Sequence, residues 1–285
     1  MKKGITVGLC LVLSAAATVS AELLASESFS TGNGSDYVSK KNLGDPANSV
    51  ILAGTVGFSK SKPWKGSSGT IQPYSAAGLT HAVQSGNDIK GVIQIITPAA
   101  QNSTAISRKT FRELDVRPAG TSFYISTLVS MGGALKNLDV EESAVIGLCE
   151  RGREDWDIKS GVHIGLAKDK DGSVYPTLFA AGKMYKLGNP LTAEQAAGTQ
   201  LIVVKMDINT SGNNDTLTAW VAQKNDTVPR QVLKTDEINI GDARDLRTLD
   251  IQVLGGQDPA YTTGVRIDEF RFGTEWKDVT SASVE

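Results

Sequence analysis

The residues able to do chemistry are few. His81 and His163 are the two imidazoles, and Cys149 is the one thiol beyond residue 21. No local motif joins either histidine to that thiol as a base. Cys149 follows Val145 and Gly147 at alternate positions of an apolar run, which reads as a buried, inert thiol. Glu150, Glu154, Asp155 and Asp157 gather around Gly152, with Arg151 and Arg153 beside them; this is a solvated loop, with a catalytic carboxylate pair as the alternative. Hard oxygen ligands occur twice. Asp169-Lys170-Asp171-Gly172 has the start of a calcium-loop pattern without its distal glutamate, and Asp207, Asn209, Asn213 and Asp215 surround a turn. Either could hold calcium, and both are also ordinary turn chemistry. The sequence has no Ser-His-Asp set, no Cys/His metal set, no P-loop and no dinucleotide fingerprint.

Aromatic side chains on a half-polar sheet face would serve a sugar ligand, because a pyranose lays its C–H face on a ring. Trp220 alternates with Thr216 and Thr218, Tyr124 with Ser126 and Ser130, and His163 stands opposite Val162, Ile164 and Leu166. If these faces belong to one sheet, Trp220, Tyr124 and His163 form a polar groove with a ring in it. If not, the rings are core. Trp64, in a Gly-, Ser- and Lys-rich stretch, is a loop alternative.

The elements that must position these residues are strands. Phe123, Ile125, Thr127, Val129 and Met131 alternate with Tyr124, Ser126, Leu128 and Ser130, the pattern of a half-exposed strand. Residues 144–149 are nearly all apolar and read as a central strand. Residues 162–168 and 174–180 flank an Asp171-Gly172 turn. Residues 201–208 and 217–222 flank a longer polar loop, and residues 249–254 and 265–272 are further strands. Thr192-Ala193-Glu194-Gln195 has the form of a capping box opening a short helix. Residues 22–110 are less regular, with strands expected at 27–30, near 69–72 and at 92–96. In the last strand Val265 and Ile267 hold one phase, and Phe270 and Phe272 the other. The apolar face therefore switches across Asp268 and Glu269, which demands a bulge, a twist or burial of both faces. Asp268 is then expected either to lock the chain closure through a neighbouring backbone or, with Glu269, to face a ligand.

Lys2 and Lys3, the apolar run 5–19 and the small-residue end Val19-Ser20-Ala21 form a secretory signal peptide, with cleavage expected before Glu22. The mature protein is expected to be secreted, extracellular or periplasmic, with no membrane span. A single remaining cysteine excludes intramolecular disulfides, so stability must come from a core. The formal net charge is -2, and no basic field favours nucleic acid or an anionic membrane.

Many strands, long hairpins and at most one or two short helices predict an all-β, two-sheet antiparallel jelly-roll sandwich over residues 22–285 as one domain. The hairpin spanning Leu201 to Asp207 and Asn214 to Val221, and the ending Val265-Arg266-Ile267-Asp268-Glu269-Phe270-Arg271-Phe272-Gly273-Thr274-Glu275-Trp276, resemble concanavalin A-like, laminin-G-like jelly rolls of exported bacterial proteins. That superfamily holds lectins, glycoside hydrolases and adhesion modules. Its hydrolases place carboxylates on alternate residues of one strand, as E-x-D-x-E or E-x-D-x-x-E, and this sequence lacks both patterns. The resemblance implies an exported, noncatalytic carbohydrate-binding module without a cofactor, calcium apart. A glycoside hydrolase with an atypical carboxylate pair and a structural or adhesive surface protein are the alternatives.

Overall fold

The computed structural model describes residues 22–31, 37, 43, 45–52, 55–66, 71–74, 79–84, 92–95, 108–131, 141–150, 161–210, 214–241, 245–254 and 265–281. The signal segment, Glu154, Asp155, Asp157 and Asn213 lie outside them.

Two antiparallel sheets form a sandwich. The first contains β1 (Leu23–Glu27), β2 (Thr55–Val56), β4 (Ile71–Tyr74), β5 (Val92–Ile95), β7 (Ser122–Ser130), β12 (Gln200–Asp207), β13 (Asp215–Gln223), β14 (Arg230–Ile238) and β16 (Arg266–Gly273). Its main path runs β14-β13-β12-β7-β16-β1-β2, with β5 also on β16 and β4 on β5. The second sheet runs β11 (Lys183–Lys186), β10 (Val174–Ala180), β9 (Val162–Lys168), β8 (Ser143–Glu150), β15 (Leu246–Leu254), β6 (Arg108–Glu113) and β3 (Lys65–Gly66). The alternation visible in the sequence sets the inner faces: Phe123, Ile125 and Val129 of one sheet meet Ile146, Leu148, Ile164 and Ile251 of the other in a single core. The apolar run 144–149 is a central strand, as its composition predicts. Gly172 closes the β9–β10 hairpin at φ +89, a conformation open to glycine at no steric cost.

Helix α1 (Ala193–Ala197) opens on the expected capping box. Thr192 Oγ1 accepts the Gln195 N–H at 3.2 Å, and Gln195 Oε1 accepts the Thr192 N–H at 2.8 Å. Helix α2 (Trp276–Val279) and strand β14 carry no periodic signal strong enough to announce them.

The first strand starts earlier than its sequence suggests and stops at Glu27. The Glu27 carboxylate accepts the Phe29 N–H at 2.9 Å, and Phe29 turns to φ +49. Ser28, Phe29 and Ser30 therefore leave the ladder. Glu27 also accepts the Tyr37 hydroxyl at 2.8 Å, and Trp64 Nε1 donates to that hydroxyl at 2.9 Å. Trp64 is buried, and its ring lies tilted beside Phe29 at 6.4 Å between centroids. It is a core residue and not a loop platform, because its one polar atom finds its partner inside. Nearby, the buried Arg112 guanidinium donates to the carbonyls of Ile51, Ser59 and Lys62, fastening an irregular stretch to β6.

The phase slip in the last strand is a β-bulge. Asp268 registers with Leu128 and Arg271 with Ser126, so the ladder skips between them, and Glu269 sits at φ +49. The extra residue lets Ile267 and Phe270 both enter the core.

Candidate functional site

The residues that could serve a ligand divide between the two sheets. Tyr124 and Trp220 share the outer face of the first sheet. They meet there through Trp276, whose ring stands edge-on at 6.2 Å from Tyr124 and 5.1 Å from Trp220. Leu79, Val83, Leu128, Leu201, Val203, Ala222 and Val279 complete this second apolar cluster. Trp220 is 9% exposed, so little of the indole is left for stacking. Its visible part borders a cleft of about 470 Å³ with Asp226, Arg230 and Gln231.

His163 lies elsewhere, on the outer face of the second sheet. The three residues therefore do not build one groove. Around His163 the registers align a row across five strands: Phe111, Asp250, Gly147, His163 and Phe179. Asp250 and His163 are two strands apart, about 10 Å between backbones, yet His163 Nε2 reaches Asp250 Oδ1 at 2.6 Å. Gly147 makes this span open. A Cβ there would fall 2.1 Å from the Val162 carbonyl oxygen and 2.5 Å from His163 Cα, closer than any real side chain stands.

Lys109 and Gln252 join the pair. Lys109 Nζ is 3.5 Å from Asp250 Oδ2, and Gln252 Nε2 donates to that same oxygen. All four residues are buried. Burial pushes the Asp250 carboxyl up, but His163, Lys109 and Gln252 together outweigh it and hold the group below its usual range. Asp250 is thus an anion with its oxygens occupied. Its partners are only half satisfied: His163 Nδ1, Lys109 Nζ, Gln252 Oε1 and Thr248 Oγ1 have no hydrogen-bond partner. These are four of the eight such buried side-chain atoms among the described residues. Thr248, Asp250 and Gln252 alternate with the core residues Leu249, Ile251 and Val253, so they share one outward face. Buried polar atoms without partners cost about 1–3 kcal/mol each, and their convergence on one face marks a place built for something else. A second cleft, of about 240 Å³, opens at the β3–β6 edge of this sheet between Lys62, Lys65, Phe111 and Glu113.

The acidic turns have other occupations. Asp215 Oδ1 accepts the Asn209 N–H and Oδ2 the Ile240 N–H, each at 2.8 Å, while Asp207 pairs with Lys205. Asp169 pairs with Lys186 and caps the Ser173 N–H. Among the described residues no group of three or more His, Cys, Asp or Glu is placed to hold a metal ion. At the bulge, Asp268 Oδ2 accepts the Leu79 N–H and Oδ1 the Glu269 N–H, both at 2.8 Å, and Glu269 pairs with Arg271 at 3.3 Å. Burial, then the nearby Glu269 charge, pushes the Asp268 carboxyl well up.

Asp250, Lys109, Gln252 and Thr248 come from two strands, β6 and β15, and no spacing along either joins them to His163. The signal was the polar alternation Thr248-x-Asp250-x-Gln252 inside an otherwise apolar strand.

The chain matches no family model and no curated protein sequence. Among solved structures it resembles the marine PL-14 alginate lyase from Aplysia kurodai, with a TM-score of 0.52 and 12% identity over 90% of this chain and 100% of that one. The endo-1,3-beta-glucanase from Streptomyces sioyaensis gives a TM-score of 0.46 and 11% identity over 89% and 96%. A GH43 glycoside hydrolase with an engineered active site gives 0.41 and 11% over 65% of this chain, which spans only 35% of that protein's length. At such identities the likeness is one of fold: the protein is a two-sheet antiparallel jelly-roll sandwich.

Proposed function

We propose that the protein is an exported, noncatalytic glycan-binding module whose ligand enters the second sheet at its β3–β6 edge, beside the buried cluster around Asp250. The observation that carries this reading is the cluster of four unpartnered polar atoms around Asp250. They offer donors and acceptors in the mixture that sugar hydroxyls require. The structural neighbours named as glycan-active enzymes fit a glycan ligand. Noncatalytic action is favoured by the residues flanking Asp250. Cleavage by a carboxylate pair needs a second acid on the same face, and the alternate positions hold Thr248 and Gln252. Export is favoured by the leader-like residues 1–21 and by the place of Glu22, whose N–H donates to Thr274 Oγ1 at 3.0 Å. A chain cut before Glu22 would begin against its own closing strand.

A glycan array comparing the wild type with Gln252→Ala and His163→Gln tests the reading. Binding of at least one glycan, lost in both variants while circular dichroism is unchanged, is the expected result. Binding untouched by either substitution, or no binding at all, sinks it. N-terminal sequencing of the mature protein checks the cut.

One observation favours a second reading, a glycan-cleaving enzyme. Asp250 fixes the His163 ring by Nε2 and leaves Nδ1 free, the arrangement of an oriented general base. Release of new chain ends from a polysaccharide, abolished by His163→Gln, would establish it over the first.

A further inference from the structure

The four unpartnered atoms differ in what can satisfy them. His163 Nδ1, Thr248 Oγ1 and Gln252 Oε1 are each content with one hydroxyl or water. Lys109 Nζ is different: it carries a charge, its side chain is 4% exposed, and it makes no hydrogen bond. Asp250 Oδ2 pairs with it at 3.5 Å but takes none of its hydrogen bonds, because the two carboxylate oxygens already take the His163 and Gln252 donors. Nor does the Phe111 ring take one; its centroid stands 5.8 Å from the ammonium. An ammonium held dry with three idle donors is best completed by an anion.

The approach to this point carries one exposed cation. The cleft at the β3–β6 edge is lined by Lys62, Lys65, Phe111 and Glu113; Lys62 pairs with Glu113 at 3.8 Å and with Asp115 at 3.3 Å, whereas Lys65 is exposed. Phe111 registers with Lys65 on one side and with Asp250 on the other, so the cleft adjoins the Lys109 cluster along one row of the sheet. The cleft beside Trp220, by contrast, offers one acid and one base, Asp226 and Arg230. From these placements we infer that the bound glycan is acidic, and that a carboxylate or sulfate on one of its sugar units enters past Lys65 and Phe111 and rests on Lys109. The inference depends on this face being a glycan site, and it names the chemistry of the occupant.

Matched pairs decide it. Calorimetry on the full chain would compare a β-1,4-oligoglucuronate with the same oligosaccharide after carboxyl reduction, and a sulfated oligosaccharide with its desulfated form. The wild type is expected to prefer the charged member of at least one pair by about tenfold or more, the range of a charge-assisted hydrogen bond. Lys109→Met should bring that preference close to parity. The pair that shows the preference identifies the anion. Lys65→Met, at an exposed position that leaves the fold alone, should weaken the charged member selectively, and it keeps the test alive if Lys109→Met does not fold. Equal affinity within both pairs overturns the acidic ligand while leaving the glycan reading intact. A preference that survives both substitutions also overturns it. Failure of the wild type to bind any member, or any glycan of the array, overturns both.

Discussion

The buried Glu27 predicts an unusual dependence of stability on pH. Burial pushes its carboxyl from an ordinary 4.5 up to about 7, against the opposing pull of the Phe29 N–H, the Tyr37 hydroxyl and the Arg112 charge. The protonated form is therefore the one the fold prefers. Below about pH 4.5 Glu27 is protonated in folded and unfolded chains alike, and its contribution is fully present. As pH rises towards 7 the unfolded chain ionises while the folded one resists, so that contribution is lost. Each pH unit of that window costs about 1.4 kcal/mol, which makes the loss about 3 kcal/mol by the time both states are ionised. Glu27→Gln removes the titration. The variant should match the wild type to within about 1 kcal/mol at pH 5, because a neutral amide replaces a neutral carboxylic acid. At pH 8 the variant should be the more stable. Urea unfolding followed by tryptophan fluorescence from pH 4.5 to 8 gives both curves, and the difference between them isolates Glu27 from Asp268 and Glu269, which are also raised. A difference that stays constant across the range would refute the reasoning.

Gly147→Ala puts a methyl group against the Val162 carbonyl and should lower stability by about 1–3 kcal/mol; differential scanning calorimetry reads this, and glycan binding should fall with it because the His163–Asp250 span closes. Trp276→Ala removes the ring that joins Tyr124 to Trp220. It should cost about 2 kcal/mol in urea titration while leaving ligand affinity at the other sheet unchanged. At the bulge, Glu269→Gly accepts φ +49 freely and should stay within about 1 kcal/mol of the wild type, whereas Glu269→Val should lose about 2 kcal/mol more than the glycine variant. Equal melting temperatures for those two would argue against the strained backbone.

The sheets were legible because their strands alternate cleanly, as β7 and β9 do, and because a slip in that alternation at Asp268 and Glu269 has only a few structural meanings. The second apolar cluster was less visible. Trp220 and Tyr124 look like surface rings beside threonines and serines until α2 brings Trp276 over them, and nothing local to either strand encodes that cover. Trp64 misleads for a similar reason: its neighbours are loop residues, while its partners Phe29 and Tyr37 are far off in sequence. The Asp250 cluster is the hardest case. Its members come from β6, β9 and β15, so only strand order, which no pairwise spacing specifies, places Lys109 and His163 on the same carboxylate.

The position of β16 between β7 and β1 has a consequence for how the chain must be made. Strand β16, the last among the described residues, is an interior strand of the sheet, and its partners β1 and β7 do not pair with each other. Until Arg266–Gly273 has been synthesised, both present open hydrogen-bonding edges to whatever is nearby. The chain cannot mature progressively from its first residue. It has to be sheltered as an incomplete sheet and then closed late, through contacts between residues some 250 positions apart, the slow kind of topology. Loss of β16 alone would remove the seam that holds two halves of a sheet together, and so would leave an aggregating fragment in place of a slightly smaller domain.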